Sequence, residues 1–398
     1  MKRRGILLVM VLLSITWQAG THSALGARET SLSADLVPQS ALPQQVSGGW
    51  VIVDFPSYRG HHTSIAVDSH DLVHISHVHE GNLMYTRQYL VGDSIWWGTY
   101  TAVAASDIED TSLALDENDR PYIAYYDDTT DNLCWAWSPS NDSVWYTGTL
   151  HTAGVVDGPS PSAVMRGVTL HVAYLNVTNA NVEYIKIIPG GWPSSPQVVA
   201  GPHPDLDAED ISLALRSDGL PRITYSSINN ELIYARYTGS AWYTDVIEGD
   251  SGHRMGLCNS LALDGYERPQ IAYFDQTNDD LRFVWYGLLG WSVPAVVDDS
   301  LGDYCYISLD LDSAGGRHIL YYNGSHHGNT SGFLRYARRP SGSDWSFETV
   351  DGPASSCGMH SDLALDSVGR PHASYYCGHL RYAHRLFTVY LPALIRSQ

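Results

Sequence analysis

The sequence predicts an all-β fold: a seven-bladed β-propeller with four antiparallel strands per blade, closed by the N-terminal Trp50 strand joining the last blade. Three observations predict it. A pair of apolar strands around a polar turn, TSLALDENDRPYIAYYD at 111–127, recurs seven times, with anchors at Ser64, Ser112, Ser162, Ser212, Ser260, Ser308 and Asp362. The steps between anchors are 48, 50, 50, 48, 48 and 54 residues, a period that marks solenoids, propellers or arrays. Each period carries four short strand patterns separated by Asp-, Asn-, Gly- and Pro-rich turns, and none carries a helical pattern.

In chain order, Met1–Arg4 is basic, an apolar run follows from Gly5 to about Trp17, and small residues come next. That is the pattern of a secretory signal peptide, residues 1–27, cleaved after Ala27. The run is short against the ~20 residues of a membrane-spanning helix; an uncleaved anchor is the second reading. No cysteine stands near the cleavage point, which argues against a lipoprotein. Residues 28–47 are polar and contain proline, the composition of a disordered or extended linker. The propeller is expected over 48–385.

Inside each repeat the first strand reads S-L-A-L-D and the second P-x-I-A-Y-Y-D. The third reads L-x-Y-A and begins at Leu83, Leu133, Val182, Leu232, Leu281, Leu334 and Leu380. The fourth opens on tryptophan: Trp50, Trp97, Trp145, Trp192, Trp242, Trp291 and Trp345. The 26 Tyr and 12 Trp favour sheet over helix. Trp50 has no first three strands before it, and the repeat at Asp362 has no tryptophan strand after it. The two orphan ends complement each other, so Trp50–Phe55 is expected beside Leu380–His384, leaving no free sheet edge in the ring. The tail 386–398, LFTVYLPALIRSQ, is apolar and lies outside the repeat.

A recurring serine cannot be a nucleophile six times over. The anchor serines are read as hydroxyls bonded to neighbouring backbone. The Asp that follows (Asp68, Asp116, Asp264, Asp312, Asp366) is read as a turn residue whose carboxylate takes backbone N–H groups. The repeated Tyr and Trp are core and inter-blade packing.

Function is expected where the copies differ, on the face that carries the loop into each inner strand and the loop after each Y-Y-D. In ring order that face carries His61, His62 and His79; Glu109, Asp110 and Asp127; Asp157 and Asn176; Asp207, Glu209 and Asp210. It continues with His253, Arg254, Cys258 and Asp275; Asp303, Tyr304, Cys305 and Asn323; and Cys357, His360, Cys377 and His379. Histidines concentrate where the last blade meets the first, with His77 and His79 replacing the Tyr and Asp of the usual Y-Y-D. Clustered neutral imidazoles suit transition-metal binding or acid–base chemistry; no tight ligand motif accompanies them, and water-facing loop residues are the plain alternative. Glu109, Asp110, Asp207, Glu209 and Asp210 suit Ca2+ or a carboxylate pair. The loops DDTTDN and DQTNDD lack the order of a calcium loop and read as hairpin turns. Disulfides are expected between Cys258 and Cys305 and between Cys357 and Cys377, with Cys134 free and buried; a Cys/His metal site is the alternative that export disfavours.

The repeat resembles those of exported seven-bladed propellers of bacteria and archaea, which are similar to the sialidase-like (BNR) and NHL propeller superfamilies. The tail resembles the Y-L-P-x-x-x-R ending of exported proteins of Chloroflexi-type bacteria, which implies a cell-surface sorting or attachment role. No copy carries the sialidase Asp-box order S-x-D-x-G-x-T-W, and no F-R-I-P stretch occurs, so a sialidase arginine triad transfers to no residue.

A net charge of -20 with two lysines, Lys2 and Lys186, argues against nucleic acid or an anionic membrane as partner. The leading expectation is therefore a secreted or cell-surface, monomeric, non-catalytic binding or scaffold propeller that meets a glycan or an extracellular protein with its loop face. His79, Glu109, Asp127, Glu209, Asp275 and His379 are its candidate contacts. The alternative is a polysaccharide-acting hydrolase or lyase at the central mouth. It would use His61, His62, His253, His360 and Tyr304 for acid–base work, Arg254 for an acidic sugar, and Asp110 or Asp210 as carboxylates. A structural cell-surface protein is the third reading. No cofactor is required; Ca2+ or a transition metal at the loop face is the open option.

Overall fold

The computed structural model describes residues 30–31, 36–105, 107–140, 144–151, 161–188, 190–200, 211–249, 252, 254–299, 302, 306–324, 332–354 and 357–386. The expected signal peptide and all of the tail beyond Leu386 lie outside them. Among the described residues no helix is long and apolar enough to cross a membrane, and Gln39–Ala41 forms a short 3-10 turn.

The fold is the expected one. Seven sheets each hold a repeat as an antiparallel meander. The inner strands, His61–Val67, Ile108–Leu115, Ser162–Arg166, Ile211–Leu215, Met255–Leu263, Ile307–Leu311 and Met359–Leu365, neighbour one another around a ring. Closure also holds: Trp50–Phe55 pairs antiparallel with Leu380–Arg385, from Leu380 opposite Phe55 to Arg385 opposite Trp50. The seventh blade is thus built from both ends of the propeller.

The apolar core is distributed. Seven clusters of buried side chains are described, and each lies between two neighbouring blades. A twisted sheet is apolar on both faces when both are covered, which is why the second strands, such as Pro121–Asp127 and Pro221–Ser226, are buried almost throughout. The fourth-strand tryptophan is the wedge. Trp50, Trp97, Trp145, Trp242, Trp291 and Trp345 each meet the third-strand aromatic of the preceding blade edge-on, with ring centroids 5.0–5.7 Å apart.

Trp192 departs from the expectation. The fourth strand of blade 3 starts only at Gln197, and Trp192 is 80% exposed. Two causes are visible. Pro193 and Pro196 remove ladder donors beside it. The third-strand residue it should meet is Trp135, which already fills its own blade: a Cβ added at Gly148 would sit 2.8 Å from the Trp135 ring. Pro294 likewise splits the fourth strand of blade 5 into Gly290–Trp291 and Ala295–Asp298.

Apart from the 3-10 turn at Gln39–Ala41, the stretch 28–47 is largely extended where it is described, and it is attached. Thr30–Ser31, Val37–Pro38 and Gln44–Ser47 add antiparallel edge strands to blades 2, 1 and 7. These segments cover sheet edges that would otherwise be open.

Candidate functional site

The inner strands enclose a channel whose wall is set by the anchors. Ser64, Ser112, Ser162, Ser212, Ser260 and Ser308 each accept the backbone N–H just after the next blade's anchor, at 2.9–3.1 Å. This is the backbone role expected of them, arranged as a belt. Blade 7 closes the belt with a carboxylate: Asp362 Oδ2 accepts Ile65 N–H at 2.9 Å. Asp362 also takes the hydroxyl protons of Ser64 at 3.0 Å and Ser308 at 2.7 Å. Leu363 N–H donates to it as well, at 2.9 Å, and burial raises its pKa despite these four donors.

Among the described residues, the residue two before the anchor lines the mouth of that channel in blades 1, 2, 6 and 7, and it is a position at which the copies diverge. His62, Asp110, Cys258 and His360 occupy it in blades 1, 2, 5 and 7. All four adopt left-handed backbone, with φ of 49°, 47°, 49° and 51°. In all four blades a bulge re-aims the inner strand beside it. Non-glycine residues in this region carry strain of about 1–3 kcal/mol each, and such strain gathers at functional sites. Tyr306 holds the same position in blade 6.

These side chains converge. His62 Nδ1 lies 3.2 Å from Asp110 Oδ1. The His62 and His360 rings are 4.3 Å apart, and the Tyr306 ring stands 4.8 Å from His360. His61 packs on Tyr376 at 4.3 Å. The bulges are pinned from behind: Thr63 Oγ1 donates to the His360 carbonyl at 2.6 Å and Thr111 Oγ1 to the His62 carbonyl at 2.9 Å. Burial, helped by the neighbouring His62, pushes the His360 pKa down to about 3, so its imidazole is neutral at physiological pH. Burial, then His62 and Arg59, also lower His61. The cavity under this ring is about 230 Å³ and is floored by the anchor hydroxyls. That is smaller than the ~300–1,000 Å³ of drug-sized sites, so it admits one ring-sized group.

Of the other sequence candidates, His253, Tyr304, Glu209 and Asp210 lie outside the described residues, as do Asp157, Asp207, Asp303 and Cys305. Arg254 reaches sideways to Gln276 Oε1 at 3.2 Å. Asp275 is fully buried, and its carboxylate takes Thr277 N–H, Asn278 N–H and the Asn278 amide. Asp127 accepts Thr129 N–H in its turn. His79 accepts Arg59 N–H at 3.1 Å, and His379 pairs with Asp54 at 3.1 Å. Glu109 is exposed, its pKa raised by desolvation and by Asp128. His77 is buried inside blade 1, bonded to Thr86 at 3.0 Å and pushed down to about 3 by burial.

Two buried networks escaped sequence reasoning. In blades 1, 6 and 7 the turn Asp, the His after the second strand's first residue and the third-strand Tyr form a relay: Asp68–His74–Tyr85, Asp312–His318–Tyr336 and Asp366–His372–Tyr382. Between blades, Glu248, Asp298 and Asp351 each clamp a Tyr and an Arg of the next blade: Tyr273 with Arg282, Tyr321 with Arg335, and Tyr375 with Arg381. The recurring His after Pro or its equivalent was the available signal for the first. All are packed inside and touch no cavity of the mouth.

Among the described residues, two groups bring three candidate donor atoms within 4.8 Å: Asp351 with Cys357 and Cys377, and Asp68 with His70 and Asp119. The two thiols of the first form the expected disulfide Cys357–Cys377, so they cannot ligate as thiolates. Cys258 is disulfide-bonded; its expected partner Cys305 lies outside the described residues. Cys134 is free and buried, its thiol pushed up to about 12 by burial. Thiol titration of the denatured, unreduced chain is expected to give one thiol, and five would overturn both pairings.

No family model matches the chain, and no curated protein matches it. Solved structures do. A catalytically inactive histidine-to-alanine variant of virginiamycin B lyase from Staphylococcus aureus, with quinupristin, superimposes with a TM-score of 0.55 at 8% identity, over 85% of this chain and 99% of that one. AofleA from Arthrobotrys oligospora gives 0.53 at 13% identity, over 82% and 96%. An ulvan lyase with bound GlcA-Rha3S gives 0.52 at 10% identity, over 89% and 93%. At these identities the likeness is one of fold.

Proposed function

We propose that this chain is an exported saccharide-binding propeller whose mouth, ringed by His62, Asp110, Tyr306 and His360, receives the terminal residue of a glycan. The observation that carries this reading is the left-handed backbone of His62, Asp110 and His360, three non-glycine residues two before their anchors that line the cavity. The belt below fixes them, so the strain is spent on aiming side chains into a small polar cavity. Neutral imidazoles, a carboxylate and an aromatic ring are the groups that hold sugar hydroxyls and a sugar face. The oxidised cysteines agree with export, and one structural neighbour, the ulvan lyase, is solved with a bound saccharide.

A glycan array tests it. Hits of the native chain are expected to weaken at least tenfold in His62→Ala and Asp110→Asn, with melting unchanged. Hits that survive both variants, or no hit above background, would refute the mouth as the site.

A second reading is favoured by one contact. The His62–Asp110 hydrogen bond fixes the imidazole as a carboxylate-oriented acid–base group does, which is the arrangement a polysaccharide lyase or hydrolase needs. Release of reducing or unsaturated ends from uronate-containing polysaccharides, lost in His62→Ala, would establish turnover. A transition metal retained through purification and lost in the same variant would recast His62, Asp110 and His360 as its ligands.

A further inference from the structure

A second departure from the repeat lies away from the mouth. A cleft of about 870 Å³ opens between blades 4 and 5. In blades 1, 6 and 7 the turn and second-strand positions here hold an Asp and a His. Blade 4 holds Arg216 and Arg222 instead, and Arg236 and Arg268 complete a set of four guanidinium groups around the cleft. The acids lining it are Asp245 and Glu267, and Asp264 and Asp218 pair with Arg268 and Arg216 from its edge.

Three of the four cations have carboxylate partners. Arg216 pairs with Glu267 at 2.8 Å, Arg268 with Asp264 at 2.7 Å and Arg236 with Asp245 at 3.5 Å. Arg222 does not. It is nine-tenths buried, its Nη1 donates to the carbonyls of Pro221 at 2.8 Å and Tyr237 at 3.0 Å, and its guanidinium also bonds the Tyr234 hydroxyl. Among the described residues no carboxylate lies within ion-pair distance of it. A buried guanidinium without a counter-charge is expensive, and a ligand anion would supply the missing charge. The opposite wall is aromatic. Tyr266 is 81% exposed with Arg268 stacked on it at 4.7 Å, and Trp291 meets Tyr286 edge-on at 5.3 Å. Flat rings beside guanidinium groups suit a sugar ring bearing an anionic substituent.

We propose that the cleft between blades 4 and 5 is a second binding site, for an anionic saccharide whose carboxylate or sulfate ester meets Arg222 and Arg236 while its ring lies on Tyr266. This site is independent of the mouth. The probes are a glucuronate oligosaccharide, a sulfated oligosaccharide and a neutral glucose oligosaccharide of equal length, and inorganic sulfate, each titrated calorimetrically into the native chain. At least one of the two anionic oligosaccharides is expected to bind, with affinity falling as salt rises, and the neutral one not. Tyr266→Ala and Arg236→Ala, both at exposed positions, are expected to weaken that binding at least tenfold, and Arg222→Gln to abolish it. His62→Ala is expected to leave it intact, which separates this site from the mouth. Unchanged affinity in Tyr266→Ala and Arg236→Ala would overturn the proposal. So would inorganic sulfate binding as tightly as the oligosaccharides, or no anionic oligosaccharide binding at all.

Discussion

Trp50→Ala is expected to lower folding stability by about 3–5 kcal/mol, whereas Trp192→Ala shifts it by less than about 0.5 kcal/mol. The two tryptophans hold the same place in the repeat, so the contrast comes from packing alone. Trp50 is fully buried, donates its indole N–H to Glu348 Oε2 at 3.0 Å and meets Tyr336 edge-on at 5.2 Å. It also begins the strand that joins the two ends of the propeller. Removing it leaves a cavity at the blade 6–7 interface and takes one donor from Glu348, which keeps Arg385 as its partner, beside the one sheet whose strands come from both termini. A loss of that size is a large share of a net stability of ~5–15 kcal/mol. Urea unfolding followed by tryptophan fluorescence measures both variants. Equal losses in the two would show that the repeat position, and not its burial, sets the energy.

That contrast marks how far the sequence could be read. The blade count, the strand order and the closure at Trp50 were legible because each repeats or is missing by a whole element. Trp192 was misread because its neighbours, two prolines and an oversized Trp135, act across strands and blades. The mouth was legible in part. His61, His62, Asp110 and His360 stood out as departures from the repeat, and they do converge. His77 departed equally and is buried, because it stands inside the second strand against Thr86 and Tyr58 and not in the bulge that enters the inner strand. The acid–Tyr–Arg clamps depend on which residues of neighbouring blades come into register, and no local pattern states that. The Arg216–Arg222 exchange lies on the far face from the loops, where the sequence offered no reason to look.

Asp310 offers the sharpest pH-dependent outcome. The S-L-A-L-D position it fills carries alanine in five other blades, at Ala66, Ala114, Ala214, Ala262 and Ala364. Its carboxylate accepts Leu311 N–H at 2.7 Å and Leu365 N–H at 3.1 Å. These contacts do not offset burial, which pushes its pKa from the ordinary 3.8 up to about 6, with Asp362 and Asp312 adding to the rise. The native fold therefore binds a proton more tightly than the unfolded chain does. The stability this proton contributes is full below about 3.8 and is lost as pH rises through about 6. The ceiling on the loss is about 3 kcal/mol; the side chain is partly exposed, and water beside it screens the charge, leaving about 1–2 kcal/mol. Asp310→Ala is thus expected to stabilise the chain by about 1–2 kcal/mol near pH 7.5 and to lose that advantage near pH 4. The turn carboxylates Asp68, Asp116, Asp264, Asp312 and Asp366 all sit below their ordinary value, and their stabilisation is lost as pH falls. The absolute profile therefore mixes both signs. Only the difference between variant and native chain isolates Asp310, and a difference that stays constant from pH 4 to pH 7.5 would show that its carboxyl is not held protonated by the fold.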